Sequence, residues 1–353
     1  MLITGQRQLK TIINFVNRFF VSLFRSMIAS RSLRTSFLCT VFVWTLWLTI
    51  LSPSKAINNA IAHWEVAVTM IFGSMVAGGT SMGGGAVAFP VLTKWLEVPP
   101  GEAKVFSLAI QSIGMSAASL TIIAMKAKME WKFIFWGTIG GIVGIILGTF
   151  WLAPILPAEV IKMSFTMMIS SFAILLLILN STPRKRGLTI PFWGRKERVF
   201  ALATGVIGGI ISSLVGSGMD IFSFSVMVLL FGLCEKVSTP TSVILMAINA
   251  VSGFLLHKFI IGDFVESVTN YWLAAVPVVV IGAPVGALLC SLLRPETITK
   301  TVVILIWIEL VSSLLLIPLN AQLICFSVFV FLCFSIIYYW MYQSKIYTQR
   351  KKF

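Results

Sequence analysis

From Ser36 to Met341 the chain alternates between long apolar runs and short segments that hold most of its charge. The runs are roughly 17–22 residues, about the length a helix needs to cross a hydrocarbon core. This pattern places segments at 36–52, 64–80 with 83–96, 104–125, 133–152, 161–180, 199–215 with 217–233, 237–257, 270–292, 301–318 and 321–341. Two of these are pairs of short apolar arms that meet at a glycine/serine break. The first break is Gly78–Gly85 and the second is Gly216-Ser217-Gly218. Arms of about 14–17 residues hardly reach across roughly 30 Å at 1.5 Å per residue. Each pair therefore predicts a re-entrant helical hairpin that enters, breaks near the midplane and leaves on the side it entered.

The pattern also repeats. A shift of 133 positions sets Gly83 on Gly216, Gly85 on Gly218 and Glu102 on Glu235 without a gap. Five more positions set Gly144 and Gly148 on Gly282 and Gly286, Pro157 on Pro295, and Lys162 on Lys300. The ordered set of matches, with hydropathy in phase, predicts two copies of one unit. The expected organisation is a basic amphipathic segment at 1–35, an added span and loop at 36–60, repeat 1 at 61–180, a basic loop at 181–198, repeat 2 at 199–319, and a last span with a basic tail at 320–353. Each repeat is a hairpin followed by three transmembrane helices.

Composition agrees: 58% of the 353 residues are hydrophobic, 11% are charged, and mean hydropathy is +0.97. No ordinary soluble domain has this make-up, so the fold class is an all-α polytopic membrane protein. The net charge of +15 sits in short segments between apolar runs, with no aromatic-interleaved soluble module beside it. It marks topology and not nucleic-acid binding. With the N-terminus inside, 22 of the 27 Lys and Arg fall on the cytoplasmic side, including Lys126, Lys128, Lys132, Arg184-Lys185-Arg186, Lys236 and the tail from Lys345. Lys55, Lys94, Lys104, Lys162 and Lys258 fall outside. Both termini are then cytoplasmic in the cell membrane, and three net crossings between equivalent points make the two units inverted copies. The apolar face of Ile12, Val16, Phe19, Phe20, Leu23 and Met27 reads as a helix lying on an anionic lipid surface. A cleaved signal peptide is the rival for the first span, but the basic region before it is unusually long.

Glycine breaks at membrane depth need protein or a wet cavity around them. A helix that restarts after a break leaves its first N–H groups without intrahelical partners and points its positive dipole end at the break. Gly83, Gly84 and Gly85 would open one half-helix, and Gly216 and Gly218 the other. Inverted copies bring both starts together at the midplane as a site for a small anion built mostly from backbone. Thr80, Ser81, Ser213 and Ser217 flank the breaks. Gln111 and Asn249 lie in the spans that follow, and Thr239, Thr241 and Ser242 begin the second of those spans. Pro90 should kink the first returning arm. The glycines at 137, 140, 141, 144, 148, 282 and 286 have a plainer use, which is to let transmembrane helices touch.

Two acids lie deep in apolar sequence, Asp220 in the first turn of the second half-helix and Glu309 within LIWIELVSS. Both are proton-coupling candidates, since ionisable groups there default to function. Asp220 has a second reading as a helix N-terminal cap, and in ionised form it would repel an anion. No metal or cofactor is expected. The five cysteines form no CxxC or Cys/His spacing, His63 and His257 stand at span ends, and no GK[ST], HExxH or nucleophile–base set occurs. The sequence therefore points away from an enzyme.

The stretch GGTSMGGGAVAFPVL at 78–92 resembles the glycine-rich segment, followed by proline and leucine, of the sulfite exporter TauE/SafE family. So do GEAKVFSLAIQS at 101–112, the repeat across the basic loop, and GSGMD at 216–220 with TPTSVI at 239–244. The likeness covers about residues 61–320. It implies a multi-pass permease for small, often sulfur-containing anions such as sulfite or organosulfonates, and it alone favours export. Ser223 stands where that pattern commonly has proline, and Asp220 is an addition. The expected function is a secondary transporter working by alternating access. The alternatives are uptake of an organic anion and a non-transporting membrane scaffold docked through the basic N-terminus.

Overall fold

In the computed structural model residues 30–84, 91–180 and 186–344 are described. The N-terminal amphipathic segment, Gly85, Pro90, Arg184, Lys185 and the basic tail lie outside the described residues. Among the described residues twelve α-helices follow in chain order. They are α1 Arg31–Ile50, α2 Pro53–Ala62, α3 Trp64–Gly79, α4 Pro100–Ala124, α5 Trp131–Leu147, α6 Ala158–Asn180, α7 Arg195–Val215, α8 Met219–Leu229, α9 Glu235–Leu255, α10 Glu266–Leu292, α11 Pro295–Leu316 and α12 Ala321–Gln343. A wider turn of π type extends α5 over Gly148–Leu152 and α9 over Leu256–Ile261. Among the described residues nine helices are long and apolar enough to cross a membrane, and no strand occurs beyond one bridge between Gly187 and Leu233. The all-helical polytopic fold expected from the sequence is what forms.

Two elements differ from expectation. The span before the first break is preceded by α2, which meets α3 at 84°. The first arm of the second pair is α7, with 21 residues and not a short arm. At 1.5 Å per residue it reaches about 31 Å, enough to cross. Its returning partner α8 is only 11 residues long and buried on every side.

The helix ends gather at two opposite ends of the bundle. At one, the Ile190 amide donates to Glu130 Oε1 at 2.8 Å and the Glu130 amide to Thr241 Oγ1 at 3.1 Å. There too the chain leaving α8 returns to the segment that precedes α7. The Gly187 amide donates to Gly232 O at 2.9 Å, the Cys234 amide to Gly187 O at 2.8 Å, and Arg186 pairs with Glu235 at 2.6 Å. At the other end Ser267 Oγ donates to Glu102 Oε2 at 2.6 Å, Asn59 Nδ2 donates to Asn270 O at 2.9 Å, and His63 meets Tyr271 edge-on. The starts of α3, α4 and α10 are collected there.

Two long seams hold the bundle together. α5 lies along α7 and α10 lies along α3, both in backbone contact through glycine. A Cβ built on Gly205 would overlap the Gly137 carbonyl oxygen and stand 2.8 Å from the Gly141 nitrogen. On the other seam a Cβ on Gly286 would overlap Met75 O and stand 2.9 Å from the Gly79 nitrogen. Close approach of small residues gives transmembrane helices their dispersion contact where lipid supplies no hydrophobic drive. α1 is pinned to the outside of α10. Pro277 removes the amide that would bond the Leu273 carbonyl, and Trp47 Nε1 donates to that carbonyl at 2.8 Å. Trp44 Nε1 donates to Pro277 O at 3.0 Å.

Candidate functional site

The second break is made by two residues in conformations that favour glycine, Gly216 with φ +83° and Gly218 with φ +122°. Gly216 is pressed against α4, where an added Cβ would lie 2.6 Å from Ser107 Cβ and 2.7 Å from Lys104 O. Two donors on α4 hold its carbonyl: Gln111 Nε2 at 2.7 Å and Ser107 Oγ at 3.1 Å. Gln111 Nε2 also donates to Ser107 O at 3.0 Å. Two carbonyl acceptors fix which end of the amide is nitrogen, so Oε1 faces the other way.

What it faces is the first break. α3 ends at Gly79, Thr80 is extended, and Gly83 turns the chain with φ +69°. The Thr80 hydroxyl is used locally, donating to Val76 O at 2.8 Å and accepting from the Met82 amide at 3.2 Å. A Cβ on Gly83 would stand 3.0 Å from Gln111 Oε1 and would strike Asp220 Oδ2. The two breaks thus meet, with Gln111 and Asp220 between them. Gly84 turns back on its own hairpin, where an added Cβ would lie 3.3 Å from both Ala77 Cβ and Gly73 O. The arm expected at 83–96 is described only at its ends, where Val91–Trp95 form a single wide turn.

The start of α8 is not a row of free amides. The Met219 amide donates to Ser212 Oγ at 3.0 Å, and Asp220 Oδ1 accepts from Gly218 at 3.2 Å and Ile221 at 3.0 Å. The chain supplies its own acceptors for these amides, which were expected to form most of the cradle together with nearby polar side chains. Polar atoms without partners remain instead. Among the described residues Ser81 Oγ, Gln111 Oε1, Ser217 Oγ and Asp220 Oδ2 have none, on residues no more than 2% exposed. An unmade hydrogen bond in such a place costs about 1–3 kcal/mol, and these four atoms lie on the two breaks themselves and on Gln111 and Asp220, the residues that meet there.

Asn249 is buried on α9 with both amide atoms unpartnered among the described residues. It faces Gly141, whose added Cβ would lie 3.1 Å from Asn249 Oδ1 and 3.4 Å from Met219 Cε, so it abuts the residue that opens α8. Ser213 packs on Gly148 and donates to Ile210 O at 2.6 Å. Ser242 is spent in its own helix and Thr241 donates within it while accepting from the Glu130 amide, whereas Thr239 Oγ1 lacks a partner among the described residues. Glu309 belongs to a separate group between α6 and α11. Its Oε1 accepts from Ser313 Oγ at 3.0 Å and Thr166 Oγ1 at 3.5 Å, and Thr166 and Ser313 lie 3.0 Å apart. No cluster of three or more His, Cys, Asp or Glu occurs among the described residues. Ser107 and Ser212, which tie the second break to α4 and cap α8, were passed over in the sequence. Their only signal is position, one helical turn before Gln111 and before Gly216.

The model of one family, described as sulfite exporter TauE/SafE, matches residues 66–313, well over half the chain. The chain belongs to the sulfite exporter TauE/SafE family. The matched segment holds both breaks, Gln111, Asp220, Asn249 and Glu309; it leaves out α1, α2 and α12. No curated protein and no solved structure matches the chain. As a TauE/SafE member with nine candidate spans among the described residues, it is a multi-pass membrane transport protein. The departures noted in its second half are mutually bonded, since Ser223 Oγ donates to Asp220 O at 3.0 Å.

Proposed function

We infer that the chain is a secondary-active permease of the cell membrane for a small anion of the sulfite or organosulfonate class, with export favoured. Direction and substrate class follow from the family's name. The observation that carries the rest is the meeting of the two breaks at Gln111 and Asp220, with unpartnered polar atoms buried around them. Serine hydroxyls at 81 and 217 and the Asn249 amide supply donors for an oxyanion at this depth.

An inverted pair of repeats fits the way the hairpins hang. α7 and α8 leave from and return to the Glu130 end, while α3 and α4 both begin at the Glu102 end. Each repeat lends its second span to the other's hairpin, α5 to α7 and α10 to α3. Rocking one repeat on the other would expose the junction to each side in turn. The Glu130 end carries Lys128, Arg186 and Lys236, so the charge rule puts it in the cytoplasm with both termini.

Asp220 Oδ2 and Gln111 Oε1 are both acceptors aimed at the same glycine. One proton on Asp220 serves both and removes the charge that would repel an anion. In this reading the proton and the anion occupy the site together. The full chain in proteoliposomes should carry at least one of sulfite, thiosulfate, sulfate or a sulfonate, faster under a pH gradient. Flux of a cation and of no anion overturns the proposal.

A further inference from the structure

A cavity of about 640 Å³ opens at the Glu130 end of the bundle. Its rim carries three exposed cations from three parts of the chain: Arg31 at the start of α1, Lys128 after α4, and Lys236 in the first turn of α9. No acid is among the described residues that line it. Glu235, beside Lys236, is held by Arg186 at 2.6 Å. The cavity runs inward to Gly78, five residues before the glycine that touches Asp220, and to Thr239. Thr239 is 1% exposed and its Oγ1 has no partner among the described residues. A concave, low-dielectric surface lined by one sign of charge concentrates the opposite ion.

We propose that this cavity is an anion-binding vestibule. Arg31, Lys128 and Lys236 gather a small oxyanion at its mouth, and the Thr239 hydroxyl takes it at the inner wall. Arg31 belongs to a helix outside the segment matched by the TauE/SafE model, so α1 adds both a wall and a cation to the family's core. The vestibule extends the transport reading by giving the anion a route from this end to the junction of the breaks. Its binding claim stands apart from flux.

A native thiol reports on it. Cys290 lines the cavity and is partly exposed. The full chain in detergent is treated with anionic sulfonatoethyl or cationic trimethylammonioethyl methanethiosulfonate, and the Cys290 peptide is followed by mass spectrometry. Corrected for reaction with a free thiol, the anionic reagent should be faster by about fivefold or more at low salt. Millimolar sulfate or thiosulfate should slow labelling more than sodium chloride of equal ionic strength does. Replacing Arg31, Lys128 and Lys236 with Gln should abolish the excess, whereas Thr239→Val should keep the excess and lose the protection. The unmodified protein alone decides: an excess below about twofold, or labelling that neither sulfate nor thiosulfate slows, overturns the vestibule. Failure of flux in proteoliposomes with Cys290 still protected overturns the transport reading instead.

Discussion

The α5–α7 seam and the junction of the two breaks are both built on glycine, and they differ in what an added methyl group would strike. In the seam it strikes backbone: Gly140 would meet Leu202 O, Gly144 would meet Val206 O, and Gly205 would meet Gly137 O. The groups struck are helix carbonyls already held in their own ladders. At Gly83, on the first-break side of the junction, the obstacles are side-chain oxygens, Asp220 Oδ2 and Gln111 Oε1, and both lack partners among the described residues. A seam glycine removes bulk so that two rigid surfaces can touch. Gly83 removes bulk so that two polar groups from distant segments can stand against its backbone. The first use serves stability, the second serves binding in the proposed reading, and substitution separates the two.

The largest effect is expected at the seam. Gly205→Leu places a branched side chain where a single Cβ already overlaps Gly137 O, and the interior has no slack to absorb it. Overpacking of this kind costs about 1–3 kcal/mol where neighbours relax and more where they are backbone. The variant should fail to give a monodisperse peak in detergent size-exclusion chromatography. A folded Gly205→Leu protein with ordinary thermal stability would break the comparison outright.

Gly83→Ala should do the reverse. Its Cβ adopts a φ of +69°, which costs on the order of 1–2 kcal/mol for an ordinary residue, and it pushes on one carboxyl oxygen that a rotamer change can move. The protein should purify normally, lose no more than a few degrees of thermal stability, and lose anion flux by at least about tenfold. Equal loss of folding and flux would merge this glycine with the seam.

Asp220→Asn tests what lies between the two oxygens. The Asn side-chain oxygen still accepts from Gly218 and Ile221, so the cap on α8 survives. Its amide nitrogen can donate to Gln111 Oε1, as a protonated carboxyl would. The variant is therefore locked in the neutral form. It should be as stable as the parent or more so, bind anion in detergent, and carry a flux that no longer responds to a pH gradient. An unchanged response would remove the proton from the junction.

Much of this was legible in the pattern. Spans of about twenty apolar residues set the transmembrane helices to within about six residues at each end, because lipid leaves the backbone no alternative. The breaks announced themselves because glycine clusters are costly at that depth. The start of α7 was placed at Val199 because Arg195-Lys196-Glu197-Arg198 is charged, yet that charge is the helix's first turn, where Glu197 Oε2 accepts from the Gly194 amide at 2.7 Å. The right-angled bend at His63 has no signature of its own, since it comes from α3 docking against α10. The double use of Asp220 is not in the pattern: one oxygen caps α8 as the sequence allowed, and the other, like Gln111 Oε1, stands against Gly83, a meeting of segments far apart in the chain.

The smallest effect is expected at Glu309, which resembles Asp220 only in sequence. Both are acids in apolar runs and both are buried, Asp220 at 0% and Glu309 at 8% exposure. Asp220 keeps an oxygen that has no donor among the described residues beside a glycine break, while Glu309 Oε1 has two hydroxyl donors, Thr166 and Ser313, on two helices away from either break. An acid already supplied with donors has no vacancy for a travelling proton or anion to fill. Glu309→Gln keeps an acceptor oxygen in place and removes only the charge, so flux should stay within about twofold and keep its pH-gradient response, at a stability cost on the order of 1 kcal/mol. If Glu309→Gln silenced the gradient response as Asp220→Asn is expected to, the missing donor at Asp220 would cease to be what marks the coupling acid.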